Sequence, residues 1–277
     1  MRVLALSPGP LKDQLVRMPA LASLCADLGA SLQVACDPAW KSAWMLLPAV
    51  DKLIPFSFDS GPSLADWANL LGSIREPDFQ ICLNFAEGRQ VNLTLSMSRI
   101  MTRIGSSGFA CTDLVADDQG WSAQRLAPWL KPLGLSLDAD AFRLALPQEV
   151  LDQVRSEHPK GDGPLLLMAP QGGETDWPEE RWSALPQTIQ QRLANLRSVT
   201  LPTNLSLDKR AAAVACADVV LTSCPITQLL SVFSGTPAVA LGAEQGLLPE
   251  RHELRCLGSS TELASLQDVD VLNALGF

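Results

Sequence analysis

Short apolar runs alternate along the chain with longer amphipathic ones. The first run, Val3 to Leu6, is followed by Leu11, Leu15, Met18, Leu21, Cys25 and Leu28 at helical spacing. The pattern predicts strands at 3–7, 32–36, 52–58, 79–85 and 103–105, with helices at 11–28, 38–47, 63–74 and 90–101 between them. Strands that alternate with helices in this way are parallel strands joined by crossover helices, so the fold class is α/β.

Residues 106–162 are less regular, with helices predicted at 121–133 and 147–158. The stretch 159–164 (Pro-Lys-Gly-Asp-Gly-Pro) is rich in turn residues. Beyond it the alternation resumes, with strands at 165–169, 198–202, 219–222 and 238–241 and helices at 178–193, 207–216, 225–234 and 263–275. This layout predicts an N-terminal domain over 1–146, a linker region over 147–164 and a C-terminal domain over 165–277.

Each half opens with a strand, a Gly/Pro loop and a helix. The loops are Ser7-Pro-Gly-Pro-Leu-Lys-Asp13 and Pro170-Gln-Gly-Gly-Glu-Thr175. Open α/β sheets hold ligands at the carboxyl ends of their strands, where these loops lie. Asp13 is the single carboxylate of the first loop-helix junction. It can be an ordinary helix-start acid facing the helix dipole, or a base that deprotonates a hydroxyl. In the second half, Gly172 and Gly173 leave room for a phosphate near backbone. Ser223 and Pro225 suit the start of a helix whose N–H groups attract anions.

Charge limits the partners. The chain carries −9 overall, and residues 147–277 hold 16 acids against 9 bases. A nucleic-acid partner is disfavoured, because phosphate backbones call for a basic surface. With 47% apolar and 18% charged residues, the chain has material for a sizeable core. No apolar run reaches the roughly 20 residues needed to span a bilayer, and the N-terminal run is too short for a secretion signal. The expected location is the cytoplasm. The seven cysteines are scattered without a CxxC, which fits a reducing compartment. His158 and His252 lie far from any cysteine pair, so no metal site is expected. A dinucleotide-binding reading fails for want of a G-x-G-x-x-G after a strand. Cys224 at a helix start is a weaker nucleophile candidate, and the Trp40–Trp44 pair reads as a buried helix face rather than a sugar platform.

Several segments resemble the heptosyltransferases, family 9 of the glycosyltransferases. Asp13, Leu15 and Pro19-Ala20-Leu21 match the family's first helix in register, with Lys12 in place of a glycine. Residues 35–56, ending in Val50-Asp-Lys-Leu-Ile-Pro-Phe56, are similar to its second unit, and Arg103-Ile104-Gly105 to a later strand end. Residues 165–182 and 217–243 resemble its donor-side segments, through Trp177-Pro178 and Gly235-Thr236-Pro237. The resemblance implies a GT-B fold, two Rossmann-like domains facing a central cleft. It implies inverting, metal-independent transfer from a nucleotide sugar, with ADP-linked sugars among the candidate donors, to a glycan or glycolipid hydroxyl, with peripheral membrane contact and no cofactor.

Asp13 takes the base position, Lys12 and Arg17 the acceptor side, and Gly172, Gly173, Thr175, Thr222, Ser223 and Thr227 the donor side. The donor motif is altered. Cys224 stands where the family has an acid, Leu229 where it has a histidine, and Thr175-Asp176 where a base precedes Trp-Pro. The alternative is therefore a non-catalytic descendant of the fold that binds or assembles.

Overall fold

The computed structural model describes residues 1–277, and the chain divides into two compact units between Phe142 and Arg143. In the first, strands β1 (Arg2–Leu6), β2 (Ser31–Cys36), β3 (Val50–Pro55), β4 (Ile81–Asn84), β5 (Thr102–Gly105) and β6 (Asp113–Leu114) form one sheet in the order β3-β2-β1-β4-β5-β6. All pairings are parallel. Helices α1 (Leu11–Leu28), α2 (Lys41–Trp44), α3 (Leu64–Arg75) and α4 (Arg89–Met97) connect the first five strands. Val3 to Leu6 are fully buried, as expected of a central strand covered on both faces. The core on one face gathers Leu4, Leu6, Ile54, Phe56, Leu70 and Ile74.

In this strand order the direction of winding reverses between β1 and β4, which creates a crevice at their carboxyl ends. The loop Ser7–Pro10 and Phe85 lie there. Helix α3 begins with a capping box between Ser63 and Asp66, and α1 ends at Gly29 in the left-handed conformation.

The second unit has five parallel strands, β7 (Leu165–Ala169), β8 (Arg197–Thr200), β9 (Val219–Thr222), β10 (Ala238–Leu241) and β11 (Leu254–Leu257), ordered β11-β10-β9-β7-β8. Its helices are α5 (Gln148–Glu157), α6 (Glu179–Gln190), α7 (Leu207–Ala215), α8 (Pro225–Ser234) and α9 (Asp268–Leu275). Here the winding reverses between β7 and β9. Trp177, Trp182, Leu185 and Ile189 pack onto one face of the sheet, with Trp177 edge-on to Trp182. Helix α5, inside the segment predicted as linker, packs on α7 and buries Val154.

Three local expectations change. Residues 38–47 form a 3₁₀ turn at Pro38–Trp40 and the single turn α2, not one helix. Residues 121–133 form 3₁₀ turns, because Pro128 and Pro132 remove backbone donors. Strands β6 and β11 were not predicted. The first is two residues long, and the second exposes Arg255 and Cys256 at the sheet edge, so neither carries an apolar run. No helix is long and apolar enough to cross a membrane.

Candidate functional site

In the first unit the loop after β1 is held by buried polar groups. Gln14 is fully buried, and its Nε2 donates to the carbonyls of Pro8 (2.9 Å) and Gly9 (3.0 Å). Its Oε1 accepts from Ser7 Oγ at 2.7 Å and from the indole of buried Trp44 at 3.2 Å. From the far side Asp59 Oδ2 accepts the N–H of Gly9 at 3.1 Å. Gly9 has a φ of +87°, and a Cβ there would stand 2.5 Å from Oδ2 of Asp13. The Asp13 side chain therefore folds back over the loop and lies against the Gly9 backbone. It is half-buried in the first turn of α1.

Arg17 lies one turn further along α1. Its Nη1 donates to Ser7 Oγ at 2.8 Å and to the Pro8 carbonyl at 2.5 Å. The guanidinium stands over the ring of Phe85, 4.8 Å from its centroid, and Phe85 in turn stacks on Trp129 at 4.4 Å. Burial lowers the pKa of Arg17 to about 10, while Asp13 and Asp59 pull it back up. Arg17 stays protonated near neutral pH and serves as counter-charge to both carboxylates. In this structure Arg17, expected on the acceptor side, braces the loop. Lys12 is half-buried beside Asp13 in the same turn. An ionised carboxylate at the crevice between β1 and β4 can accept a proton from a bound hydroxyl.

In the second unit the loop after β7 meets the loop after β9 at the corresponding crevice. Gln171 N donates to Ser223 Oγ at 2.8 Å, which ties the two together. Gly172 N donates to Asp176 Oδ2 and Trp177 N to Asp176 Oδ1, both at 2.7 Å. Cys224 N donates to Thr222 Oγ1 at 3.0 Å, and Thr222 donates to the Ala169 carbonyl at 2.7 Å. Gly172 and Gly173 have φ of +80° and +98°, and the space where their side chains would stand is open.

A cavity of about 160 Å³ is bordered by Gln171, Gly172, Thr175, Asp176, Ser223 and Glu244, with no lysine or arginine on its wall. That is small beside the roughly 300–1,000 Å³ of typical ligand pockets. A second cavity of about 660 Å³ shares Gly172 and Asp176 and extends past Trp177 and Trp182. The first unit's groove of about 540 Å³, by Cys36, Lys41 and Trp44, touches neither Asp13 nor Arg17.

The sequence-predicted donor residues separate into two groups. Gly172, Gly173 and Thr175 are exposed on the loop, and Ser223 faces the small cavity. Thr222 and Thr227 are fully buried and present no hydroxyl to a ligand in this structure. Thr227 Oγ1 accepts from Arg210 at 3.1 Å, and Arg210, itself buried, also donates to the carbonyls of Pro202 and Thr203. Thr222 ties the end of β7 to the loop after β9, and Thr227 holds Arg210 in place. Sequence reasoning missed Gln14, Asp59 and Asp176 as loop-shaping residues. Asp176 left a signal, since it is the acid immediately before Trp177-Pro178. Asp59 left none, being 50 residues from the glycine it holds.

Two parallel α/β units, each with a crevice at a reversal of strand order, are the architecture of the GT-B fold, and solved structures similar to this one share that fold. A family 9 glycosyl transferase from Veillonella parvula is 15% identical over 99% of this chain and 95% of its own, with a TM-score of 0.76. E. coli ADP-heptose LPS heptosyltransferase II is 14% identical over 99% and 97%, with a TM-score of 0.73. The E. coli heptosyltransferase WaaC with ADP-2-deoxy-2-fluoro heptose is 16% identical over 99% of both chains, with a TM-score of 0.68. At these identities the likeness is one of fold. No family model and no curated protein matches the chain.

Proposed function

We propose that the chain is a cytoplasmic glycosyltransferase that transfers a sugar from a nucleotide sugar, with ADP-linked sugars as the first donors to test, to a glycan or glycolipid hydroxyl with inversion and without a metal. The observation that carries this reading is the placement of Asp13. It is a carboxylate at the reversal crevice of the first unit, folded against Gly9 and flanked by the cation Arg17, in a fold shared with heptosyltransferases. In the reaction the acceptor hydroxyl gives its proton to Asp13, its oxygen bonds to the anomeric carbon, and the bond from that carbon to the donor's phosphate oxygen breaks. Gly172, Gly173, Thr175 and Ser223 are the donor-side residues, and Lys12 is placed to meet an anionic acceptor. The test is a thermal-shift screen against nucleotides and nucleotide sugars, followed by a transfer assay with any ligand found, since binding to the native state alone raises the melting temperature. A ligand-specific rise and sugar transfer are expected; no response to any nucleotide sugar would refute the reading.

A second reading, a non-catalytic binding or assembly protein on the same fold, is favoured by one observation. The amides of Gln171, Gly172, Trp177 and Cys224 are already capped by the chain's own side chains. A diphosphate leaving group needs free donors or cations to stabilise it.

A further inference from the structure

We infer that Asp176 determines the ligand specificity of the second unit by occupying the anion position of its own loop, so that the wild-type protein binds diphosphates weakly. The inference rests on assigning this loop to the donor side. Loops that bind phosphate do so with backbone N–H groups that converge on the anion. Here two such groups, on Gly172 and Trp177, converge at 2.7 Å on the two oxygens of one carboxylate, and Asp176 is 8% exposed. The left-handed glycines Gly172 and Gly173 give the loop the open backbone such binding uses, and Asp176 fills it from inside.

Glu174 and Asp176 stand in the stretch before Trp177-Pro178, so the loop itself is acidic. Glu244 borders the same small cavity, which has no cation on its wall. The nearby arginines are committed elsewhere. Arg210 donates to backbone carbonyls and Thr227, and Arg181 pairs with Asp268 at 3.4 Å and donates to the Leu266 carbonyl. An incoming diphosphate must either displace the carboxylate from both amides or settle beside its charge, and either route weakens binding.

Calorimetric titration of the full chain with ADP and with inorganic pyrophosphate at neutral pH tests this, on the wild type, Asp176→Asn and Asp176→Ser. Both variants remove the charge, and both can still accept an amide N–H. The expected result is millimolar or weaker binding by the wild type and at least tenfold tighter binding of both ligands by whichever variants keep a wild-type unfolding transition. Micromolar binding by the wild type, or folded variants that bind no more tightly, would overturn the inference and leave Asp176 as a loop brace. The transferase reading fails separately. Tightened ADP binding without sugar transfer by any of the three proteins would sink that reading and leave this one standing.

Discussion

Asp13 and Gly9 are in contact across the first turn of α1: a Cβ on Gly9 would stand 2.5 Å from the Asp13 carboxylate oxygen. The glycine also has a φ of +87°, a conformation that side chains rarely adopt. Gly9→Ala therefore faces backbone strain and a displaced carboxylate together. The expected loss is about 1–3 kcal/mol of stability for the first unit, read from chemical denaturation. An unchanged midpoint would mean that Asp13 does not rest on this loop.

Arg17 brings together the loop, the aromatic pair Phe85–Trp129 and two carboxylates. Arg17→Met keeps the apolar stem but leaves the Ser7 hydroxyl without the Arg17 donor and the Pro8 carbonyl with Gln14 as its remaining donor. A loss of about 1–3 kcal/mol is expected. Arg17→Lys keeps the charge without the planar fork, so its loss should be smaller but measurable. Denaturation of the three proteins side by side checks the ranking. Equal stability of Arg17→Met and the wild type would contradict it.

His158, at the end of α5, has its pKa lowered below the ordinary histidine value by burial and by Arg197, against a smaller opposite pull from Glu157. Its folded pKa lies below its unfolded one. Below about pH 6.5 the unfolded chain therefore binds the proton more readily. The contribution is complete above that pH and is lost as the pH falls through the histidine range. Stability measured at pH 7.5 and pH 5 should fall more for the wild type than for His158→Gln. The same fall in both would remove His158 from the account.

Much of the fold was legible because strands buried on both faces must be apolar throughout. The runs Val3–Leu6 and Leu165–Ala169 announce interior strands of the two sheets. The edge strand Leu254–Leu257 was not legible, since a strand exposed on one side carries Arg255 and Cys256 like any loop. At the site, Asp13 stood out because its helix follows a strand directly and its neighbours keep a recognisable spacing. Gln14 and Asp59 did not, because their roles come from groups the fold brings to them, and a buried glutamine next to Asp13 reads as an ordinary helix residue. The internal partners of Thr222 and Thr227 were not legible for the converse reason. A hydroxyl at a strand end or helix start serves a ligand or an internal partner equally well, and only burial distinguishes the two.

The central claim is that Asp13 takes a proton from the acceptor and does not hold the donor. The most direct measurement is a comparison of the wild type with Asp13→Asn in two assays on the same preparations, the rate of sugar transfer and the affinity for the nucleotide sugar. Loss of a general base costs on the order of 10²–10⁴ in rate. The account predicts a loss of that size in kcat, with donor affinity unchanged within about twofold. Full activity in Asp13→Asn, or a loss of donor affinity that accounts for the whole fall in rate, would contradict it.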